Sequence, residues 1–127
     1  MSESLAIILP LPNKVLSPNC MIASIAGRFM KAAAAKKSRK LAKEAVENEN
    51  IETSPWTAVV VRSRFYCRTA RRRDEDNYQG MLKATYDGIV DAGLVIDDDS
   101  EHMRKEPPEF KVDKINPRVE ILIERKV

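Results

Sequence analysis

Cysteine and histidine are scarce in this sequence. Its 127 residues include two cysteines, Cys20 and Cys67, and one histidine, His102. Neither cysteine has a CxxC partner or a nearby histidine cluster, which favours structural or incidental thiols in a reducing cytosol. A chain of this length buries an ordinary core, so it needs no disulfide to fold. For His102 we favour a structural or surface role over that of a general base.

Long hydrophobic runs are also missing. No stretch approaches the roughly 20 apolar residues that a membrane-spanning helix needs. The apolar start LAIILPLP lacks the basic region and the small-residue cleavage site of a signal peptide. Repeats and low-complexity linkers are absent as well. With 43% hydrophobic and 32% charged residues, we expect one soluble, cytoplasmic domain spanning residues 1–127, with no membrane partner.

Charge is present in separated blocks, although the formal net charge is only +3. Residues 28–43 carry seven lysines and arginines without an acid, and residues 62–73 carry six arginines without an acid. Acidic residues gather instead at 74–76 and 97–101. Such separation indicates a polyanionic partner together with a small acidic pocket.

The hydrophobic periodicity predicts an α+β fold, with the elements in the order β-α-β-α-(β)-β. Strands are predicted at 5–9, 56–66 and 118–126, and helices from Ser24 to Glu47 and from Asp76 or Asn77 to Ala92. Residues 94–96 are a short apolar piece, and 102–116 are ambiguous between an edge strand and a loop. We expect a small mixed β-sheet packed with two main helices.

Apolar stripes mark the faces that should reach the core. The predicted stripes are Met30, Ala34, Leu41 and Ala45 in the first helix, Leu82, Tyr86 and Ile89 in the second, Val59, Val61 and Phe65 in the middle strand, and Val119, Ile121 and Ile123 in the last strand. Gly93 is placed to end the second helix.

Another face of the first helix is basic, with Lys36, Arg39 and Lys40 among its residues. Two interpretations are open. The face is either an ordinary solvated surface or a surface that binds nucleic acid, and the local pattern alone favours the first.

The stretch RRRDEDN at 71–77 places three arginines directly before two aspartates. In an extended segment Asp74 and Asp76 would point the same way, so both carboxylates could reach one ion. Mg²⁺ prefers such oxygen ligands and usually takes one or two protein carboxylates. A second interpretation gives Asp76 a helix-capping role. The DxD pattern also marks metal sites in glycosyl transfer, but the size of the chain and its arginine runs argue against that activity.

A second acidic run, Asp97-Asp98-Asp99, follows the second predicted helix, where its charge is unfavourable for the helix dipole. It is either an exposed acidic turn or part of a site. A site shared with Asp76 requires the chain to turn back along that helix. Lys83 lies seven residues after Asp76, about two helical turns, and is suited to neutralise a phosphate or to pair with Asp87.

These motifs together resemble the RusA family of Holliday junction resolvases, which are small, homodimeric, magnesium-dependent endonucleases of bacteria and their phages. The resemblance is carried by RRRDEDN, KATYDGIVDAG, LVIDDDS and the closing VEILIE, in that order. The N-terminal LPLP, SPN and the basic helix are similar to the phage-type members. The DxDN, helix and DDD combination is the specific part.

The resemblance implies a RusA-like fold and a set of site residues. Its metal ligands would be Asp74, Asp76 and Asp98, with Asp97 as the alternative third ligand; its catalytic lysine would be Lys83. Its metal would be Mg²⁺, with Mn²⁺ as a substitute. Two departures stand out: Lys83 lies about one helical turn further from DxDN than in the family pattern, and Glu75 is acidic where the family prototype is apolar.

We therefore expect a cytoplasmic, homodimeric endodeoxyribonuclease, in a bacterial or phage-infected cell, that resolves four-way DNA junctions by paired nicks. The expected DNA-binding residues are Arg71, Arg72, Arg73, Lys36, Arg39 and Lys40. A dimer also follows from the chemistry, because two symmetric nicks require two active sites. The alternatives are a nuclease for other branched replication intermediates and a catalytically silent protein that binds branched DNA.

Overall fold

Strands and helices follow the predicted order, except that the second helix is divided in two and the last part of the chain holds three successive strands. The computed structural model describes residues 3–20 and 24–126. Its elements are β1 (Ser4–Leu9), α1 (Ile25–Glu47), β2 (Val59–Cys67), α2 (Glu75–Met81), α3 (Lys83–Asp91), β3 (Met103–Lys105), β4 (Glu109–Val112) and β5 (Arg118–Arg125), with a short 3₁₀ helix at Lys14–Leu16. The predicted α+β class, with a small mixed sheet and two main helices, α1 and α3, is confirmed.

The sheet has β5 at its centre, between β1 and β2. Both neighbours pair with β5 in the antiparallel sense, whereas β3 and β4 pair one after the other along the far edge of β2 in the parallel sense. The ambiguous segment at 102–116 thus supplies two short parallel strands. The predicted strand at 56–66 begins only at Val59, because Trp56 makes an isolated bridge with Val95 instead.

Strict alternation decides which strand residues reach the core. Ile7, Ile121 and Ser63 lie side by side across β1, β5 and β2, and all three are buried. The stripes predicted for β2 and β5 are buried throughout. The opposite face of the sheet stays open, since Ile8 on β1 is 65% exposed. One face therefore carries the hydrophobic core.

The helix α1 runs along this core but does not bury its whole length. Its N-cap is Ser24, whose side chain accepts a hydrogen bond from the Gly27 N–H, as the predicted helix start requires. Further along, Ala42 and Val46 are buried. Met30 was predicted to be a core residue, and this is wrong, because it is 63% exposed. Met30 lies in the first turns of α1, whereas the buried residues of this helix, Ala42 and Val46, lie toward its other end.

The second predicted helix is divided in two at Leu82. The Leu82 N–H bonds to Gln79 O, three residues back, which tightens the chain between α2 and α3. The predicted stripe of Leu82, Tyr86 and Ile89 is buried, and Gly93 has the positive φ of 83° that ends a helix. Gly88 permits close packing on α1, because a Cβ there would lie 2.2 Å from the Arg39 carbonyl oxygen.

Candidate functional site

The DxDN motif forms the beginning of α2. Asp74 is the N-cap, and its side chain accepts a hydrogen bond from the Asn77 N–H at 3.1 Å. Glu75 and Asp76 therefore occupy the first helical turn. The predicted helix start at Asp76 or Asn77 lies one or two residues too late, because Asp74 is itself a good cap and the helix begins at Glu75. The predicted extended segment therefore ends at Asp74, although both aspartates are exposed at the same helix end.

Asn77 ties the start of α2 to the loop before α1. Its Oδ1 accepts a hydrogen bond from Ser17 Oγ at 2.5 Å and another from the Asn19 N–H at 3.2 Å. The Asn19 N–H also lies 3.2 Å from Ser17 Oγ. These bonds join segments about 60 residues apart, so the last residue of the motif holds the loop 13–20 beside Asp74.

The three arginines before the motif line a cleft together with that loop. We call it the arginine cleft; its lining includes Lys14, Ser17, Asn19, Cys20, Arg71, Arg72, Arg73, Asp74, Asn77 and Met81. Within it, Arg73 is held in place, since its guanidinium donates to Tyr78 Oη at 3.2 Å and to Arg71 O at 3.0 Å. Arg71 and Arg72 are exposed and form no ion pair with any described residue. Their charge is available to an anionic ligand.

The three aspartates at 97–99 have different partners. Asp97 accepts a hydrogen bond from the Asp98 N–H at 2.7 Å, and Asp99 accepts bonds from the Glu101 and His102 N–H groups at 3.1 and 3.0 Å. Asp99 also contacts His102 Nδ1 at 2.7 Å. These two aspartates shape the turn, and His102 belongs to it. Only Asp98 faces the helices.

Asp98 and Lys83 show that the chain does turn back along the helix. The Lys83 ammonium bonds to Asp98 at 2.5 Å and to Asp87 at 2.9 Å. Its hydrogen bond to Asp98 is the largest cause that raises the pKa of Lys83, and the same bond lowers the pKa of Asp98. Lys83 therefore stays charged, and the pairing with Asp87 that the spacing suggested is present, together with a bond to Asp98 that was not predicted.

The predicted metal ligands are not gathered into one group. Among residues 3–20 and 24–126, no set of three or more histidine, cysteine, aspartate or glutamate side chains is arranged to hold a metal ion. Asp74 and Asp76 lie at one end of α2, while Asp98 lies beside Lys83 at the start of α3. Asp97 is engaged in its own turn. The two exposed carboxylates of DxDN form no ion pair with any described residue.

The basic face predicted on α1 divides into residues with and without acidic partners. Arg39 forms a two-bond ion pair with Asp91 of α3, one of whose bonds, from Nη2 to Oδ1, is 2.8 Å long. This pair links the two main helices. Lys40 lies 3.9 Å from Glu44, and Lys36 is exposed. The role of Lys36 and Lys40 in binding DNA stays a prediction. The role of Arg39 in binding DNA also stays a prediction, but its charge is already paired with Asp91.

Sequence reasoning missed the contribution of the loop 13–20. Lys14 lies alone in a proline-rich loop, and such a residue has no periodic pattern that would mark it. Ser17 and Asn19 acquire their role only through Asn77, far away in the chain. The SPN motif at 17–19 was visible in the sequence, but nothing in it indicated that Ser17 and Asn19 would bond to Asn77.

Comparison with models of known protein families gives no match for this chain, and comparison with curated proteins gives none at a significant level. Within the described part of the chain, no helix combines the length and the apolar character that crossing a membrane requires.

Proposed function

We propose that this protein is a Mg²⁺-dependent, structure-specific endodeoxyribonuclease that resolves four-way DNA junctions by paired nicks. The observation that carries the proposal is the arginine cleft, in which Asp74 of an exposed carboxylate pair lies beside arginines that have no acidic partner among the described residues. Cleavage of a phosphodiester needs both a cationic surface for the backbone and oxygen ligands for a metal. The resemblance to the RusA family points to the same activity.

The donor set at the start of α2 fits Mg²⁺. The ion takes one or two protein carboxylates and completes its shell with water and phosphate oxygens. Asp74 and Asp76 would hold it; one Asp74 oxygen is used by the Asn77 N–H, and Asp76 forms no ion pair with described residues. Asp98 would add a ligand only if its bond to Lys83 were given up. The bound ion would activate water and stabilise charge on the leaving oxygen.

The chain's own cations have separate tasks in this proposal. Arg71 and Arg72 would bind phosphates on either side of the bond to be cut, and Arg73 is fixed by Tyr78 so that it lines the same cleft. Lys83 keeps its proton, because Asp98 and Asp87 raise its pKa. It would act as a fixed positive charge toward a phosphate rather than as a base.

Paired nicks would require two copies of the chain. A resolved junction is cut symmetrically in two strands, so a homodimer with a two-fold axis would supply one DxD site for each strand. Binding through phosphates and the shape of the junction, rather than through base edges, is what a cleft of arginines supports.

A second candidate is a protein that binds branched DNA without cutting it. The observation in its favour is that no three-carboxylate group is assembled among the described residues. Both candidates use the same cleft, so the presence or absence of cutting separates them. A panel of flaps, three-way and four-way junctions separates a junction resolvase from a nuclease for other branched intermediates.

The test is cleavage of a synthetic mobile four-way junction with Mg²⁺ and with EDTA. Wild type is compared with Asp76→Asn and with the matched control Glu75→Gln, which removes one negative charge at the neighbouring position. We expect paired nicks by wild type and by the control. Asp76→Asn should bind the junction but cut at least about 100-fold more slowly, since a metal ligand contributes several kcal/mol to the transition state.

Two outcomes would change the assignment. Binding of the junction without cutting by wild type, in Mg²⁺ and in Mn²⁺, would leave the silent binding protein. Equal cutting by wild type and Asp76→Asn would remove the DxD motif from the active site.

A further inference from the structure

A second groove lies on the other side of the loop 13–20. We call it the α1 groove; its lining includes Leu16, Pro18, Cys20, Arg28, Lys31, Met81 and Lys83, and its volume is about 770 Å³. It separates the first turns of α1 from the helices α2 and α3. Nothing in the predicted basic face of α1 pointed to it, because Lys36, Arg39 and Lys40 do not line it.

The rim of this groove is cationic. Arg28 and Lys31 project from α1 and form no ion pair with any described residue, and Lys83 faces them from α3. Asp87 is the one carboxylate among the described lining residues, and it is already bonded to Lys83 at 2.9 Å. A chain of phosphates is the ligand that complements such a rim, because each contact releases a counterion.

The loop 13–20 stands between the two clefts. Its residues Ser17 and Asn19 line the arginine cleft, Leu16 and Pro18 line the α1 groove, and Cys20 lines both. Asn77 holds the loop from the arginine side. On the other side Pro18 packs on Gly80, where a Cβ would lie 2.4 Å from Pro18 Cγ. The loop is thus a fixed ridge with unpaired cations on both flanks.

We propose that this ridge separates two segments of a branched DNA, one in the arginine cleft and the other in the α1 groove. The inference rests on the proposed function and adds the basis of its substrate preference. A linear duplex engages the cations of one cleft at a time. Two arms that diverge at a junction engage both, so Arg28 and Lys31 contribute to the binding of branched DNA and little to the binding of linear DNA.

The experiment compares the affinity of wild type and of Arg28→Ala/Lys31→Ala for a four-way junction and for a duplex of the same length. Binding is measured by fluorescence anisotropy in EDTA, so that no DNA is cut, over a series of salt concentrations. The matched control is Lys111→Ala/Lys114→Ala, which removes two exposed positive charges that line neither cleft. Both double variants are checked for an unchanged circular dichroism spectrum and melting temperature.

We expect Arg28→Ala/Lys31→Ala to bind the junction about 10-fold more weakly or worse, with less than about a 2-fold change for the duplex. The slope of log affinity against log salt for the junction should fall by about 2, one unit for each lost phosphate contact. The control should match wild type on both DNAs.

An equal loss for junction and duplex, or no loss for either, would overturn the inference while the proposed function stands on its own cleavage test. This outcome would be a wild type that cuts junctions, together with an Arg28→Ala/Lys31→Ala variant that prefers the junction over the duplex as strongly as wild type does. A wild type that shows no preference for the junction over the duplex would overturn both.

Discussion

Arginines on two sides of this molecule have opposite surroundings. On the open face of the sheet, each arginine has an acidic partner: Arg62 pairs with Glu124, and Arg64 donates to Glu109 at 2.9 Å. Arg118 forms two further pairs there, with both bonds at 2.8 Å. These charges are neutralised within the sheet, and a polyanion would have to displace a carboxylate to reach them.

Beside the ridge formed by the loop 13–20, all the lining cations except Lys83 lack such partners among the described residues. Lys14, Arg71 and Arg72 in the arginine cleft, and Arg28 and Lys31 in the α1 groove, form no ion pair with described residues. Arginines from one run in the sequence can therefore be either paired with acids or free to bind an anion. The six arginines at 62–73 belong to one block in the sequence, but the block divides where β2 ends at Cys67.

We expect the largest loss of affinity for DNA when two arginines of the arginine cleft are removed, and we compare it with the removal of two arginines from the open sheet face. Arg71→Ala/Arg72→Ala should weaken binding of a four-way junction about 100-fold, since two charge-assisted contacts to phosphate are lost. Arg62→Ala/Arg64→Ala removes the same charge from the open sheet face and should change the affinity less than about 3-fold. The measurement is fluorescence anisotropy at one fixed salt concentration. Equal losses in the two variants would erase the distinction between the two regions.

An intermediate effect is expected when the ridge is released from α2. Asn77→Ala deletes the acceptor for Ser17 Oγ and for the Asn19 N–H. The free energy of unfolding should fall by about 1–2 kcal/mol, because the part-buried Ser17 hydroxyl and the exposed Asn19 N–H lose this acceptor. Affinity for the junction should fall about 10-fold as the arginine cleft loses its wall. Urea denaturation and anisotropy measure the two quantities.

The matched control for that variant is Asn116→Ala, an exposed asparagine outside both clefts. It should leave affinity and stability near the values of wild type. A variant Asn77→Ala with full affinity for the junction would show that the ridge needs no anchor on α2.

The smallest effect that we expect is on stability, and it concerns the ion pair between Arg39 of α1 and Asp91 of α3. The hydrogen bond that the Arg39 guanidinium donates to Asp91 lowers the pKa of Asp91. A carboxyl whose folded pKa is depressed stabilises the fold above its unfolded value of about 3.9, and this contribution is lost as the pH falls through the folded value. Asp91→Asn should therefore be less stable than wild type at pH 7, and the difference should shrink below about pH 4.

Thermal unfolding at several pH values measures this difference. Glu47→Gln is the control, since Glu47 is an exposed carboxylate of the same region without an ion pair among the described residues. If the difference in melting temperature between Asp91→Asn and wild type stayed the same at acidic pH, the stabilising pair with Arg39 would be contradicted.

Local patterns in the sequence were sufficient for most of the fold. Alternation in β2 and β5 identified the buried face of the sheet, and Gly93 marked the end of α3 because only an unhindered residue favours its positive φ. The error at Met30 has a different origin. Helical periodicity shows which side of α1 is apolar, but it does not show where along the helix the neighbouring elements end.

The candidate site was only partly predictable. Asp74 and Asp76 were found because the motif is contiguous in the sequence. The bond between Lys83 and Asp98 depends on how the chain returns after α3, and the bond between Ser17 and Asn77 joins residues 60 positions apart. Neither contact has a local signature. Whether an arginine is paired or free likewise depends on partners from other strands.

Protection of Cys20 from alkylation tests the central claim, that DNA binds on the side of the ridge rather than on the open sheet face. Cys20 lines both clefts, whereas Cys67 is buried and reports unfolding in the same experiment. Alkylation by iodoacetamide is followed by mass spectrometry with and without saturating four-way junction in EDTA. We predict that the junction slows the modification of Cys20 about 10-fold or more, with Cys67 unreactive throughout. Tight binding of the junction with an unchanged rate at Cys20 would place the DNA away from the ridge.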